Sequence, residues 1–241
     1  MIRFDRVSKA FGEKKILYDV SFELLNGEIA FLIGKSGTGK SVTLKQVVGL
    51  IEPDQGEIHV KGKALSQLNE NEWVRHRREC AYIFQHPTLI DEFTIGENLR
   101  LGLESVSNKK VFEKLAAVGF RFNENNEGSF LLRYPNDLSY GEKKRLSIAR
   151  ALLLNPSCIL FDEPTTGLDP IMTKAIHVLI HKLSRKLGVT SLVVSHDMVS
   201  ALEVADRILL LDQGRLVENA SPNQLRKSED GLTKRFFGEP A

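Results

Sequence analysis

The chain has 241 residues, 42% of them hydrophobic, which suits one elaborated domain or two small lobes around a sizeable core. Its 33 Lys and Arg nearly balance 31 Asp and Glu, and a net charge of +2 gives nucleic acid no broad basic surface to bind. No apolar run approaches the ~20 residues of a membrane-spanning helix, the N-terminus lacks the order of a secretion signal, and neither cysteine belongs to a paired motif, so a soluble protein of a reducing, cytoplasmic compartment is expected.

Partly alternating apolar patterns over 2–7, 17–24 and 56–60 predict antiparallel strands with one wet face, the first two joined by a turn at 12–15. His59 reads as an exposed residue of the third. Ile29-Ala30-Phe31-Leu32-Ile33 is apolar throughout and reads as a buried strand. It runs into Gly34-Lys35-Ser36-Gly37-Thr38-Gly39-Lys40-Ser41, and Val42 continues into a helical pattern. Strand, glycine loop and helix are the context of a phosphate loop. The glycines let successive N–H groups turn toward phosphate oxygens, and the helix N-terminus adds positive potential. Lys40 is then placed to reach the β- and γ-phosphates, and the Ser41 hydroxyl to bind Mg²⁺.

Residues 80–84 form another apolar strand, ending at Gln85. From 92 to 155 the apolar residues recur at helical spacing, as in Val111, Leu115 and Val118, with a polar loop at 123–128. The last helix of this insertion, 141–154, turns Leu146, Ala149, Leu152 and Leu153 to one side and stops before Pro156. Buried strands at 159–161, 191–194 and 208–211, with a helix at 173–187 between the first two, imply a mostly parallel sheet with helices packed on it. Cys80 and Cys158 fall in two of the apolar strands and read as lone buried thiols. A hairpin turn is expected at 212–215, and the polar tail ends in Phe236-Phe237-Gly238.

The strand that starts at Cys158 ends in Asp162-Glu163. Acids at the C-terminal end of such a strand face the crevice where ligands of open sheets sit. Asp162 is suited to hold Mg²⁺, and Glu163 to polarise an attacking water as general base. Leu138-Ser139-Tyr140-Gly141-Glu142 opens the helix before that strand. Here the sequence resembles the ATP-binding cassette (ABC) ATPases, whose signature is Leu-Ser-Gly-Gly-Gln. Gln85 stands at the family's Q-loop glutamine, Thr166-Gly167-Leu168-Asp169 at the D-loop and His196 at the switch histidine. Phe11 stands where the family places an aromatic ring under the adenine.

The resemblance covers essentially the whole chain and implies its fold: α/β, a P-loop NTPase core with a mostly parallel sheet, an antiparallel β-subdomain and an inserted α-helical subdomain. The core would take 1–91 and 156–220, the helical signature lobe 92–155, and the tail 221–241. The implied cofactors are ATP and Mg²⁺, the metal held by Ser41, Gln85 and Asp162. Catalysis would fall to Glu163, His196, Gln85 and Lys40. Nucleotide contacts would come from Phe11, the loop from Gly34 to Val42, Gln85, Asp162, Asp169 and His196. Ser139, Gly141 and Glu142 would act across a head-to-tail dimer, on ATP bound by a second copy. Tyr140 replaces the first signature glycine, and its ring is expected along the surface or the dimer seam. Glu142 replaces the glutamine and brings a negative charge toward phosphate.

The resemblance further implies the motor subunit of a membrane transporter, peripheral at the cytoplasmic face of the inner membrane. A transmembrane permease would dock between Gln85 and the signature helix, at Leu89, Phe93 and Ile95. A soluble ABC protein of a cofactor-assembly complex is the alternative class; nucleic acid is not an expected partner. The run 132–139 is similar to importer-type and lipid-trafficking cassettes, and the runs 39–45, 49–56 and 167–171, with the terminal Phe236-Phe237-Gly238, are similar to the mammalian-cell-entry (MCE) and Mla-type lipid transport ATPases. These work with a permease and a lipid-carrying MCE protein. Amino-acid and phosphate import cassettes are the other subfamily to weigh.

Overall fold

The computed structural model describes residues 1–122 and 127–227. Most of the polar loop expected at 123–128 lies outside them, as do Phe236-Phe237-Gly238. In chain order, β1 (Ile2–Phe11), β2 (Lys14–Leu24) and β3 (Ile29–Ile33) lead into α1 (Lys40–Val47). Next come β4 (Gln55–Val60), β5 (Lys63–Ala64), α2 (Glu70–Glu79) and β6 (Cys80–Ile83). The helical segment is α3 (Ile95–Arg100), α4 (Asn108–Ala117), α5 (Glu127–Leu131) and α6 (Tyr140–Leu153). The chain returns through β7 (Cys158–Asp162), α7 (Pro170–Leu187), β8 (Thr190–Ser195), α8 (Met198–Val204), β9 (Arg207–Asp212), β10 (Arg215–Ala220) and α9 (Pro222–Leu225).

The strands form an antiparallel sheet in the order β2-β1-β4-β5 and a six-stranded sheet in the order β10-β9-β3-β8-β7-β6. Five strands of the larger sheet run parallel, and only β10 is antiparallel, at the edge. Parallel strands are covered on both faces, which is why their residues are apolar without alternation. The pleat still sorts them. Phe31, Phe161, Val193 and Leu210 point into one core with α3, α4, α6 and α7. Ala30, Leu32, Leu160, Val194 and Leu209 point into a second core with α1 and the antiparallel sheet. The cysteines are free and buried, Cys80 directly opposite Cys158 in the β6–β7 register.

Several expectations shift. β1 continues to Phe11 through register irregularities after Phe4. His59 is half-buried on β4. α7 begins at Pro170, where Asp169 caps it by accepting from the Ile171 and Met172 N–H groups at 2.9 Å. Helix α2 was not expected at all. Ile95 lies fully buried in the first core, which removes it from the surface expected for a permease; Leu89 packs partly buried against that core, and Phe93 is part-exposed.

The parallel order fixes the site. The loops leaving β3, β8, β7 and β6 all emerge at one edge of the sheet. They carry, in that order, the phosphate loop, His196, Asp162 with Glu163, and Gln85, so residues up to 162 positions apart in sequence (34 to 196) meet along one line.

Candidate active site

The phosphate loop is held from behind. A Cβ at Gly34 would lie 2.3 Å from the Leu211 carbonyl oxygen, so no side chain fits there. Gly39 precedes α1 with a φ of 105°, which L side chains rarely adopt. Lys40 opens the helix almost fully buried. Its ammonium donates to the carbonyls of Gly34 at 2.8 Å and Lys35 at 2.9 Å, and sits 3.7 Å from Glu163 Oε1. Burial lowers the Lys40 pKa, while the charges of Glu163 and Asp162 oppose that shift.

The Ser41 hydroxyl donates to Asp162 Oδ1 at 2.7 Å, and the Tyr82 hydroxyl to Asp162 Oδ2 at 2.6 Å. Burial and these contacts with Asp162 push the Tyr82 phenol well up, so it stays a donor. A hydroxyl and a carboxylate oxygen in contact, next to a phosphate cradle, are a hard-oxygen donor set suited to Mg²⁺, which keeps several waters and takes substrate phosphates as ligands. Among the described residues no cage of three His, Cys, Asp or Glu side chains forms.

Glu163 is largely buried and His196 open to solvent, with His196 Nδ1 2.8 Å from Glu163 Oε2. The carboxylate therefore spans from Lys40 to His196, with one oxygen toward each. A cavity of about 750 Å³ opens here, lined by Gly37, Lys40, Ser41, Gln85, Glu163 and His196 among others. Val42 lines it too. A second cavity of about 560 Å³ adjoins the other side of the loop, where Lys35, Ser36, Gly37 and Thr38 face Lys14, Lys15 and Tyr18. Lys14 and Ile16 line both cavities, and the sequence reading passed over them; their position just past the first turn was the available signal.

Other expected residues lie apart. Phe11 is half-exposed at the end of β1 with the Lys9 ammonium 5.5 Å from its ring centroid, and it lines neither cavity. Ser139, Gly141, Glu142 and Asp169 line neither cavity either. Ser139 caps α6. Its hydroxyl donates to Glu142 Oε2 at 2.7 Å, and the Ser139 N–H donates to the same oxygen at 2.9 Å. The Ser139 hydroxyl holds the Glu142 carboxyl below its usual range. The charge expected to trouble phosphate is thus engaged in a capping box. Gly141 is buried, and a Cβ there would meet Met172 Cε at 2.8 Å. The Tyr140 ring lies against Gly167 and its hydroxyl is 3.2 Å from His86 Nδ1.

One residue carries no sequence signal. Lys144 on α6 is only 3% exposed and donates to the Gln85 carbonyl. Burial lowers its pKa to about 8, against the pull of Glu163.

A family model described as "ABC transporter" matches residues 17–166. The methionine import ATP-binding protein MetN of Clostridioides difficile (strain 630) is 36% identical over 245 residues, 99% of this chain and 74% of that protein. The arginine transport ATP-binding protein ArtM of Bacillus subtilis (strain 168) is 35% identical over 246 residues, 99% of both chains. Among solved structures, a dimer of the ATP-binding cassette MJ0796 in a post-hydrolysis state with ADP and Pi aligns with a TM-score of 0.79. It is 31% identical and covers 92% of this chain and 99% of that one. The fold is that of the ABC ATPases, and the chain belongs to the ABC transporter family as an ATP-hydrolysing subunit.

Proposed function

We propose that this chain drives an amino-acid importer. The observation that carries this reading is the pair of relatives matched over 99% of the chain, one named for methionine import and one for arginine transport. The short runs at 39–45, 49–56 and 167–171 favoured lipid transport instead. Similarity along the full chain outweighs them, so the import reading replaces the lipid one, and a substrate-binding protein replaces the MCE-type protein among the partners. The remaining partners are a transmembrane permease and a second copy of this chain. No described helix is long and apolar enough to cross a membrane, and we place the chain at the cytoplasmic face through the permease. Residues 1–91 and 156–220 serve as nucleotide core and 92–155 as the signature lobe.

For hydrolysis, the loop N–H groups and Lys40 would hold the phosphates, and Ser41, Asp162 and Gln85 would hold Mg²⁺. Mg²⁺ held there would supply charge neutralisation on the phosphate oxygens. Glu163 takes a proton from a water as its oxygen bonds to the γ-phosphorus, the bond to the leaving oxygen of ADP breaks, and phosphate leaves. His196 orients Glu163 through Nδ1, and its exposed ring stands at the cavity that would take the γ-phosphate and the attacking water. Phe11 stacks on the adenine, while Ser139, Gly141, Glu142 and Asp169 serve the site of the partner copy.

The test is uptake in cells that carry Glu163→Gln in place of the native chain. Entry of labelled methionine or arginine should fall at least tenfold, with envelope phospholipid distribution unchanged. Normal amino-acid entry with an altered lipid distribution would restore the lipid reading.

A further inference from the structure

Helix α6 presents two side chains, one turn apart, to two different loops of the hydrolysis site. Lys144 is almost fully buried, and its ammonium donates to the backbone carbonyl of Gln85. It lies 5.4 Å from the centroid of the Tyr140 ring, the i,i+4 geometry in which helix residues face each other. A cation over a tyrosine face is attracted by the ring quadrupole, more strongly when desolvated. The ring itself touches both neighbours. Its hydroxyl is 3.2 Å from Nδ1 of His86, next to Gln85. A Cβ at Gly167 would come within 3.2 Å of Tyr140 Cε1, so the ring lies close against the α-carbon of Gly167, in the loop that follows Glu163.

A buried ammonium is costly unless its donors are used. No carboxylate lies within ion-pair distance of Lys144 among the described residues. A methionine of similar length would fill the space without that cost, so packing alone does not explain a lysine here. What the ammonium adds is a directed bond to one backbone carbonyl, that of Gln85.

We propose that Lys144 and Tyr140 are positioning residues for ATP hydrolysis: Lys144 fixes the backbone of Gln85 and Tyr140 fixes Gly167, so the signature helix, the Gln85 segment and the loop after Glu163 move as one body. This rests on the reading of Gln85 as a group of the hydrolysis site. Neither side chain lines the nucleotide cavity, so the effect falls on turnover and leaves ATP binding alone.

The experiment is steady-state ATPase of the full-length chain in its membrane complex over a range of ATP, for Lys144→Met, Lys144→Arg, Tyr140→Gly and Gln85→Ala. Lys144→Met should lower kcat at least tenfold with KM for ATP within twofold of the native value. Lys144→Arg should recover to within about threefold, because a guanidinium can donate to the carbonyl and stack on the ring. Adding Lys144→Met to Gln85→Ala should cost nothing more in kcat. Unchanged kcat in Lys144→Met, an additive loss in the double variant, or failure of arginine to rescue overturns the proposal. If Lys144→Met does not fold, Tyr140→Gly decides on the same split of kcat and KM, and a native kcat there overturns it. A native kcat in Gln85→Ala instead removes the role of Gln85, and the proposal falls with it.

Discussion

Glu163 has a φ of 47°, a left-handed value for a residue with a full side chain. Such a conformation costs about 1–3 kcal/mol and persists only where its surroundings impose it. Here the Glu163 N–H donates to the Val194 carbonyl at 3.0 Å, and its carbonyl accepts from Thr166 at 3.2 Å. The strain aims the carboxylate back between Lys40 and His196. Glu163→Gln keeps shape and backbone, so it should lower kcat by ~10²–10⁴ with ATP affinity retained, as read by ATPase assay and nucleotide titration. The same variant should sediment as a dimer on ATP and as a monomer on ADP, because the bound nucleotide is no longer cut. At Gly141 the structure changes what a substitution means. A side chain there first strikes Met172 of its own chain, so Gly141→Asp reports on packing between α6 and α7 as well as on a phosphate across the dimer.

At the scale of elements, the start of α6 is a helix cap before it is anything else. Ser139→Ala should cost about 1 kcal/mol by urea denaturation. Glu142→Gln keeps an acceptor oxygen and should change stability by less than ~0.5 kcal/mol. Helix α7 carries a second observable. His177 is buried beneath the sheet, its ring 5.6 Å from that of Phe31 and its Nδ1 3.8 Å from Asp197 Oδ2. Burial lowers its pKa; Asp197 pulls the other way and His196 adds to the lowering. The unfolded chain therefore takes up the proton first as pH falls below ~6.5. This contribution to stability is complete above that pH and is lost below it. Between pH 7 and pH 5 the denaturation midpoint should fall, and His177→Leu should flatten the slope; an equal slope in both proteins would refute the assignment. These elements also show what a sequence reveals. The parallel strands were legible because burial on both faces leaves unbroken apolar runs such as 29–33. Helix α2 was not, because it buries none of its residues and so has no apolar stripe, although Asn69 and Glu72 spell its capping box. Lys144 was illegible because a lysine on a helix ordinarily marks the wet face.

Across the whole molecule, the burial of Ile95 narrows the surface that the apolar pattern suggested for a permease. With Ile95 in the core, a groove of about 210 Å³ with mixed lining lies nearby, where Phe84 and Leu101 stand beside Arg77, Thr88 and Arg150. Leu101 is exposed there and touches none of the nucleotide cavity. Leu101→Asp should leave ATPase of the isolated chain within twofold and reduce amino-acid uptake at least tenfold, measured in vesicles containing the permease. The strand order has a consequence for how the molecule is made. β3, which carries the phosphate loop, has β8 on one side and β9 on the other; both are encoded more than 150 residues later. The loop's own back wall is the carbonyl of Leu211. A chain emerging from the ribosome therefore holds its nucleotide motif early and the means to shape it only at the end. Nucleotide cannot steady the growing chain, and fragments ending before residue 190 should show no ATP affinity, so the ATP switch arms only on chains that are nearly finished.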